Sequence, residues 1–262
     1  MSGKKSHLEF NLRSRRKGLR AIYTLGIVVC FAVFVFSCYK LTSGLLEHKK
    51  AADSYSNIKK TAVSAPVTEG DRQYLSVDWD TLAKINGDYM GWLDIPGTKI
   101  SYPVVYADDY DEYLRTTFEK KPNLAGSIFS DFDCASDWSS KNTILYGHRM
   151  NDGSMFGTLE KYRDESFFSE HREIHVYAEN CILTYEVFSV FNAIAGDENY
   201  RVNFDGEADY EQWLSGVKGR SLYDTRTYAN PSSKILMLST CMGGENESRT
   251  VIFAVQKEII DR

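Results

Sequence analysis

The sequence predicts an all-β domain, an antiparallel barrel or sandwich, carried behind an N-terminal membrane span. Three observations predict it: an uncharged run from Ala21 to Tyr39 beside a basic flank, eight short strand-like pieces between Gly91 and the C-terminus, and a single regular helical pattern among those pieces. A parallel α/β sheet would need helices alternating with the strands, and that alternation is absent. At 262 residues the chain is long enough to bury a sizeable core.

The N-terminal element comes first. Residues 1–20 hold seven Lys or Arg against Glu9, a local charge of +6; the whole chain carries −5, so residues 21–262 carry −11. A helix over Ala21–Tyr39, rising about 1.5 Å per residue, spans roughly 28 Å, close to the hydrocarbon thickness of a bilayer. The basic flank is expected to stay in the cytoplasm and the remainder to be exported. A cleaved signal peptide has a shorter apolar region ending at a small-residue site; this run is longer and lacks an A-x-A, which favours an uncleaved single-pass anchor in the cell membrane. A basic run next to a membrane span, in an otherwise acidic chain, argues against a nucleic-acid partner.

Lys40 to about Gly70 is polar and reads as a helical or flexible stalk. The expected organisation is a basic tail (1–20), the anchor (21–39), a stalk (40–72) and a catalytic-type domain (73–262). Asp78 is placed to cap a helix running through Met90, with Leu82, Ile85 and Tyr89 on one face. From Gly91 the pattern shortens to G-W-L-D-I-P-G-T, I-S-Y-P-V-V-Y, A-G-S-I-F-S-D, N-T-I-L-Y-G-H, E-I-H-V-Y-A, C-I-L-T-Y-E-V-F-S-V-F, K-I-L-M-L-S-T-C and R-T-V-I-F-A-V. Ala208 to Lys218 repeats Tyr210, Trp213, Leu214 and Val217 at helical spacing and reads as one surface helix packed on the barrel.

Chemistry concentrates at the strand ends. Cys241 closes one apolar run and Arg249 opens the next, so in adjacent strands the two meet at one end of the sheet. A nearby cation favours a thiolate and donates to a negative oxygen. His148 also ends a strand, behind a glycine that permits a sharp turn. Cys134 lies in a loop among Asp131, Asp133 and Asp137, and Cys181 lies inside a strand as a small apolar residue. His171 and His175 have metal-ligand spacing only on a helix; on a strand they stand about 13 Å apart, too far to share an ion. The three aspartates lack a calcium-loop pattern, and no cofactor is expected. The residues themselves reach a Cys-His-Arg candidate for acyl transfer.

The stretch L-S-T-C with Arg249 downstream, together with L-Y-G-H-R-M-N-D-G-S-M-F-G upstream, resembles the sortases of Gram-positive bacteria, class B in particular. The resemblance covers roughly Tyr74 to the C-terminus and takes in G-W-L-D-I-P-G-T, A-G-S-I-F-S-D and the helix before the cysteine strand. It implies a closed eight-stranded barrel with peripheral helices. It also implies Cys241 as nucleophile toward a Thr carbonyl of a C-terminal sorting signal, His148 as general acid then base, and Arg249 as donor to the carbonyl and oxyanion. Ser239 and Thr240 would line the substrate groove. The implied partners are sorting-signal-bearing surface proteins, a peptidoglycan-precursor or pilin amine, and membrane lipid around Ala21–Tyr39. The chain departs from many class B relatives in one place, with Met242, Gly243 and Gly244 after Cys241 where they carry T-C-E; Glu245 and Glu247 follow in the same loop. Rival readings are a thiol peptidase that passes the acyl group only to water, and a silent surface scaffold; a redox protein is disfavoured because no C-x-x-C surrounds Cys241.

Overall fold

The computed structural model describes residues 3–69, 72–241 and 248–262, and within them the side chains of all but 3–22, 65, 66, 69 and 241. The chain divides into two compact units, residues 1–49 and 50–262. The first belongs to α1 (Gly3–Ala62), whose apolar side chains from Tyr23 to Leu46 are exposed. Its most apolar 18-residue window has a mean hydropathy of 2.1, so this helix is long and apolar enough to cross a bilayer.

The second unit begins inside α1. Ala51, Tyr55, Ile58 and Ala62, spaced at three and four residues, are buried, so the end of the helix is amphipathic and part of the core rather than a free stalk. Tyr55 Oη donates to Gly126 O at 2.6 Å, and burial pushes its phenol up to about 12. Further along the expected stalk, Val63–Glu69 form β1, which pairs antiparallel with β2 (Arg72–Val77). Asp78 caps α2 (Trp79–Ile85), its carboxylate accepting from Thr81 N at 3.0 Å. The helix expected through Met90 stops at Ile85: Asn86 adopts extended φ/ψ with Gly87 behind it, and Tyr89 and Met90 open a strand.

Eight strands follow: β3 (Tyr89–Asp94), β4 (Ser101–Val105), β5 (Ile128–Ser130), β6 (Asn142–His148), β7 (Glu173–Tyr177), β8 (Cys181–Ile194), β9 (Ile235–Cys241) and β10 (Ser248–Asp261). They coincide with the eight runs read from the sequence. They close into one barrel in the order β10-β8-β7-β3-β4-β5-β6-β9, with β9 returning to β10. Closure leaves the sheet without an edge. The barrel is mixed, which corrects the antiparallel reading. β4 with β5 and β6 with β9 are parallel, because the segments between them are long enough to cross back to the starting end.

Between β6 and β7 run a short 3-10 segment, Gly157–Arg163, and α3 (Glu165–Glu170), capped by Asp164. α4 (Glu207–Gly219) is the surface helix foreseen; it buries Tyr210, Trp213, Leu214 and Val217, with Trp213 edge-on to Phe253 of β10 at 5.8 Å. Cys134 does sit in a loop but is buried; its sulfur accepts from Ile144 N, and burial pushes the thiol up to about 12. Cys181 is half-buried.

His175 lies on β7, only 4% exposed, with neither ring nitrogen hydrogen-bonded among the described residues. Glu173 is its nearest carboxylate at 3.5 Å and Tyr74 packs 5.3 Å from its ring. Burial lowers its pKa, so below about 6.5 the unfolded chain binds a proton that the folded chain resists. Stability should therefore be full at neutral pH and fall as pH drops through about 6.5 toward the lowered folded value. Melting curves between pH 7.5 and 5 check this: His175→Gln should flatten the slope in that window, and an unchanged slope would show that other groups set it.

Candidate active site

The sheet registry assembles the three candidates. β6 and β9 run parallel from Asn142↔Ile235 to His148↔Cys241, so those last two backbones are direct neighbours. β9 and β10 pair antiparallel with Val251 opposite Ser239. That ladder ends there, and Arg249 and Cys241 each lie two residues beyond it, on β10 and β9. His148, Cys241 and Arg249 thus stand in a row at one end of three adjacent strands, with only His148 and Cys241 a ladder pair; strand axes in a sheet lie about 4.8 Å apart. The Cys241 side chain, and the whole of Met242 to Glu247 with both glycines and both glutamates, lie outside the described residues.

His148 is held at its ring. Its Nε2 lies 2.6 Å from Leu114 O. A carbonyl oxygen only accepts, so Nε2 carries the hydrogen. Two glycines make this possible. Gly126, at φ +58°, passes so close to the loop that a Cβ there would stand 2.4 Å from Leu114 O. Gly147 serves close packing and not the sharp turn expected of it: it lies in β6, and a Cβ would stand 2.5 Å from Ile128 and 2.8 Å from Phe156.

Arg249 is half-buried at the start of β10, where its backbone pairs with Ala193 of β8. Its Nε is buried with no hydrogen-bond partner among the described residues. A buried donor is stable only with an acceptor, supplied by the protein or by a bound molecule. Tyr200 stands beside this guanidinium. Its hydroxyl is 2.8 Å from Ser239 Oγ, and its ring stacks on Tyr146 at 6.3 Å with 6° between planes. Burial raises the Tyr200 pKa, while Ser239 and Arg249 oppose the rise. Ser239 and Thr240 are both buried; Thr240 Oγ1 reaches Thr250 O at 3.5 Å.

Sequence reasoning missed Tyr146, Tyr200 and the Leu114 carbonyl. Tyr146 was within reach, two residues before His148 on the same strand and so on the same face. Tyr200 sits in a polar loop with no pattern around it, and a backbone carbonyl leaves no signal in residue type.

The chain is similar to known proteins over most of its length. The sortase domain model matches residues 93–257. Sortase B of Listeria monocytogenes is 32% identical over 214 residues, 82% of this chain and 87% of the relative. Sortase B of Staphylococcus aureus is 28% identical over 241 residues, 92% of this chain and 98% of the relative. Among solved structures, sortase B from B. anthracis superposes with a TM-score of 0.70 at 30% identity, covering 83% of this chain and 100% of that one. A Staphylococcus aureus sortase B–substrate complex superposes with a TM-score of 0.71 at 28% identity, covering 81% and 99%. The eight-stranded mixed barrel, the domain match and these relatives together place the chain in the sortase family of cysteine transpeptidases, in class B.

Proposed function

We propose that the chain is a membrane-anchored transpeptidase that cleaves a C-terminal sorting signal after Thr and joins the new acyl end to a cell-wall or pilin amine. The observation that supports the reading is His148 directly opposite Cys241 across β6 and β9, with Arg249 near the start of the adjacent β10. In this reading residues 1–20 remain cytoplasmic, Ala21–Tyr39 anchors the chain, and the barrel faces the cell surface. A basic flank before a single apolar helix supports that orientation.

Cys241 supplies the nucleophile. Its sulfur attacks the Thr carbonyl carbon, the carbonyl oxygen becomes an oxyanion, and the C–N bond then breaks to leave a thioester. Arg249 stabilises that oxyanion through its guanidinium, which offers donors in a fixed planar fork. His148 protonates the departing amine and later takes the proton of the incoming one. With Nε2 held on Leu114 O, this exchange runs through Nδ1, and the carbonyl stabilises the charged ring while it holds the proton. Ser239, fixed by Tyr200, and Thr240 border the place where the sorting peptide lies. The acceptor amine must outcompete water for the thioester, so it has to enter already oriented.

The proposal is tested with the full chain in detergent micelles and fluorogenic peptides of the N-P-x-T-N, L-P-x-T-G and S-P-x-T-G kinds, with and without a diaminopimelate-containing stem peptide. A Thr–amine product by mass spectrometry, absent with Cys241→Ala, is expected. A hydrolysed Thr carboxylate alone would favour a peptidase, and no cleavage of any peptide would favour a silent scaffold. Arg249→Ala should lower kcat/KM by about 10²–10³. Arg249→Lys should restore only part of the loss, because an ammonium cannot reproduce the fork; full recovery in steady-state kinetics would contradict the donor geometry.

A further inference from the structure

Asp131 follows the last residue of β5 and is 3% exposed, and among the described residues it is satisfied by two phenols and a backbone N–H rather than by a cation. Its Oδ1 accepts from Asp133 N at 2.9 Å, closing a local turn. Its Oδ2 accepts from both Tyr110 Oη and Tyr146 Oη, each at 2.8 Å. Burying a carboxylate is costly and needs strong donors to offset it. The turn occupies Oδ1 alone, and the β5–β6 ladder is made by Phe129↔Tyr146 and Ser130↔Leu145 without any carboxylate. Neither of those tasks accounts for Oδ2.

The two phenols lead to opposite sides of the site. Tyr110 lies four residues before Leu114, whose carbonyl holds His148 Nε2. Tyr146 lies beside Ser239 in the β6–β9 register and stacks on Tyr200, which reaches Ser239 and Arg249. The Tyr110 and Tyr146 rings also meet edge to face at 5.7 Å. Burial and the adjacent carboxylate both raise the Tyr110 and Tyr146 pKa values, so each remains a donor at neutral pH.

We propose that Asp131 is a positioning residue for the transpeptidation, one carboxylate oxygen setting the His148 side of the site and the Ser239–Arg249 side relative to each other. The inference rests on the roles proposed above for His148 and Arg249. It assigns each branch its own kinetic signature. The Tyr146 branch governs how the sorting peptide is held, and the Tyr110 branch governs how the imidazole is held during proton transfer.

The test uses the full chain in micelles and the fluorogenic peptide that the wild type turns over best, assayed well below the melting temperature of every variant. Tyr146→Phe should raise KM about three- to tenfold with kcat within twofold. Tyr110→Phe should lower kcat by a similar factor, keep KM, and displace a limb of the pH–rate profile. Asp131→Asn should do both, and adding it to the Tyr110→Phe/Tyr146→Phe pair should cost less than a further twofold, since coupled residues are not additive. A purely structural role would lower the melting temperature of Asp131→Asn and leave kcat, KM and the pH profile at wild-type values; that result overturns the proposal. Should Asp131→Asn fail to fold, the two Phe variants decide, each lacking a single oxygen, and wild-type constants in both overturn it equally. A wild type that forms no Cys241-dependent product would instead refute the catalytic reading itself, and this inference with it.

Discussion

The parallel pairing of β6 with β9 is the constraint on which the rest depends. Parallel neighbours cannot be joined by a tight turn, so the chain must leave after His148, build β7, β8 and α4, and return at Ile235 beside Asn142. Only the completed barrel brings His148 level with Cys241. The site is therefore a product of the closed fold, and a slip of one residue along β9 would exchange its two faces and separate the row. The apolar run of Ile235, Leu236, Met237 and Leu238, buried throughout, fixes β9 as an interior strand of the barrel.

Around this row the protein spends polar groups sparingly. The His148 ring is held by a backbone carbonyl, which cannot titrate and so fixes a tautomer without competing for the proton. Arg249 has a buried Nε with no hydrogen-bond partner among the described residues. Tyr200, Tyr146 and Asp131 form a second layer whose phenols are too basic to ionise at neutral pH, so they orient neighbours without adding charge.

Much of this was legible in the sequence, and what was not has physical causes. All eight barrel strands could be read because each is a short, mostly apolar run bounded by polar or turn-forming residues, and α4 because Tyr210, Trp213, Leu214 and Val217 keep one face. The Cys-His-Arg candidate stands out in the sequence because scarce residue types lie at strand ends. Pairing direction was not, since local pattern says nothing about which distant strand lies alongside. The helix after Asp78 was overextended because Tyr89 fits a helical face and a strand equally well, and Asn86-Gly87 decided the matter. The end of α1 was read as stalk because Ala51, Tyr55, Ile58 and Ala62 are weakly apolar among many polar residues, yet they pack into the core.

The central claim is that the β6–β9–β10 row performs acyl transfer through Cys241. Its most direct test is to mix the full chain with a cleavable sorting peptide, quench in acid within the first turnover, and locate any mass increment by intact-mass and peptide mapping. The account predicts an increment equal to the acyl fragment ending in Thr, confined to the peptide that contains Cys241 and removed by hydroxylamine as a thioester is. An increment on another residue, or turnover with Cys241 unmodified at every time point, would contradict it.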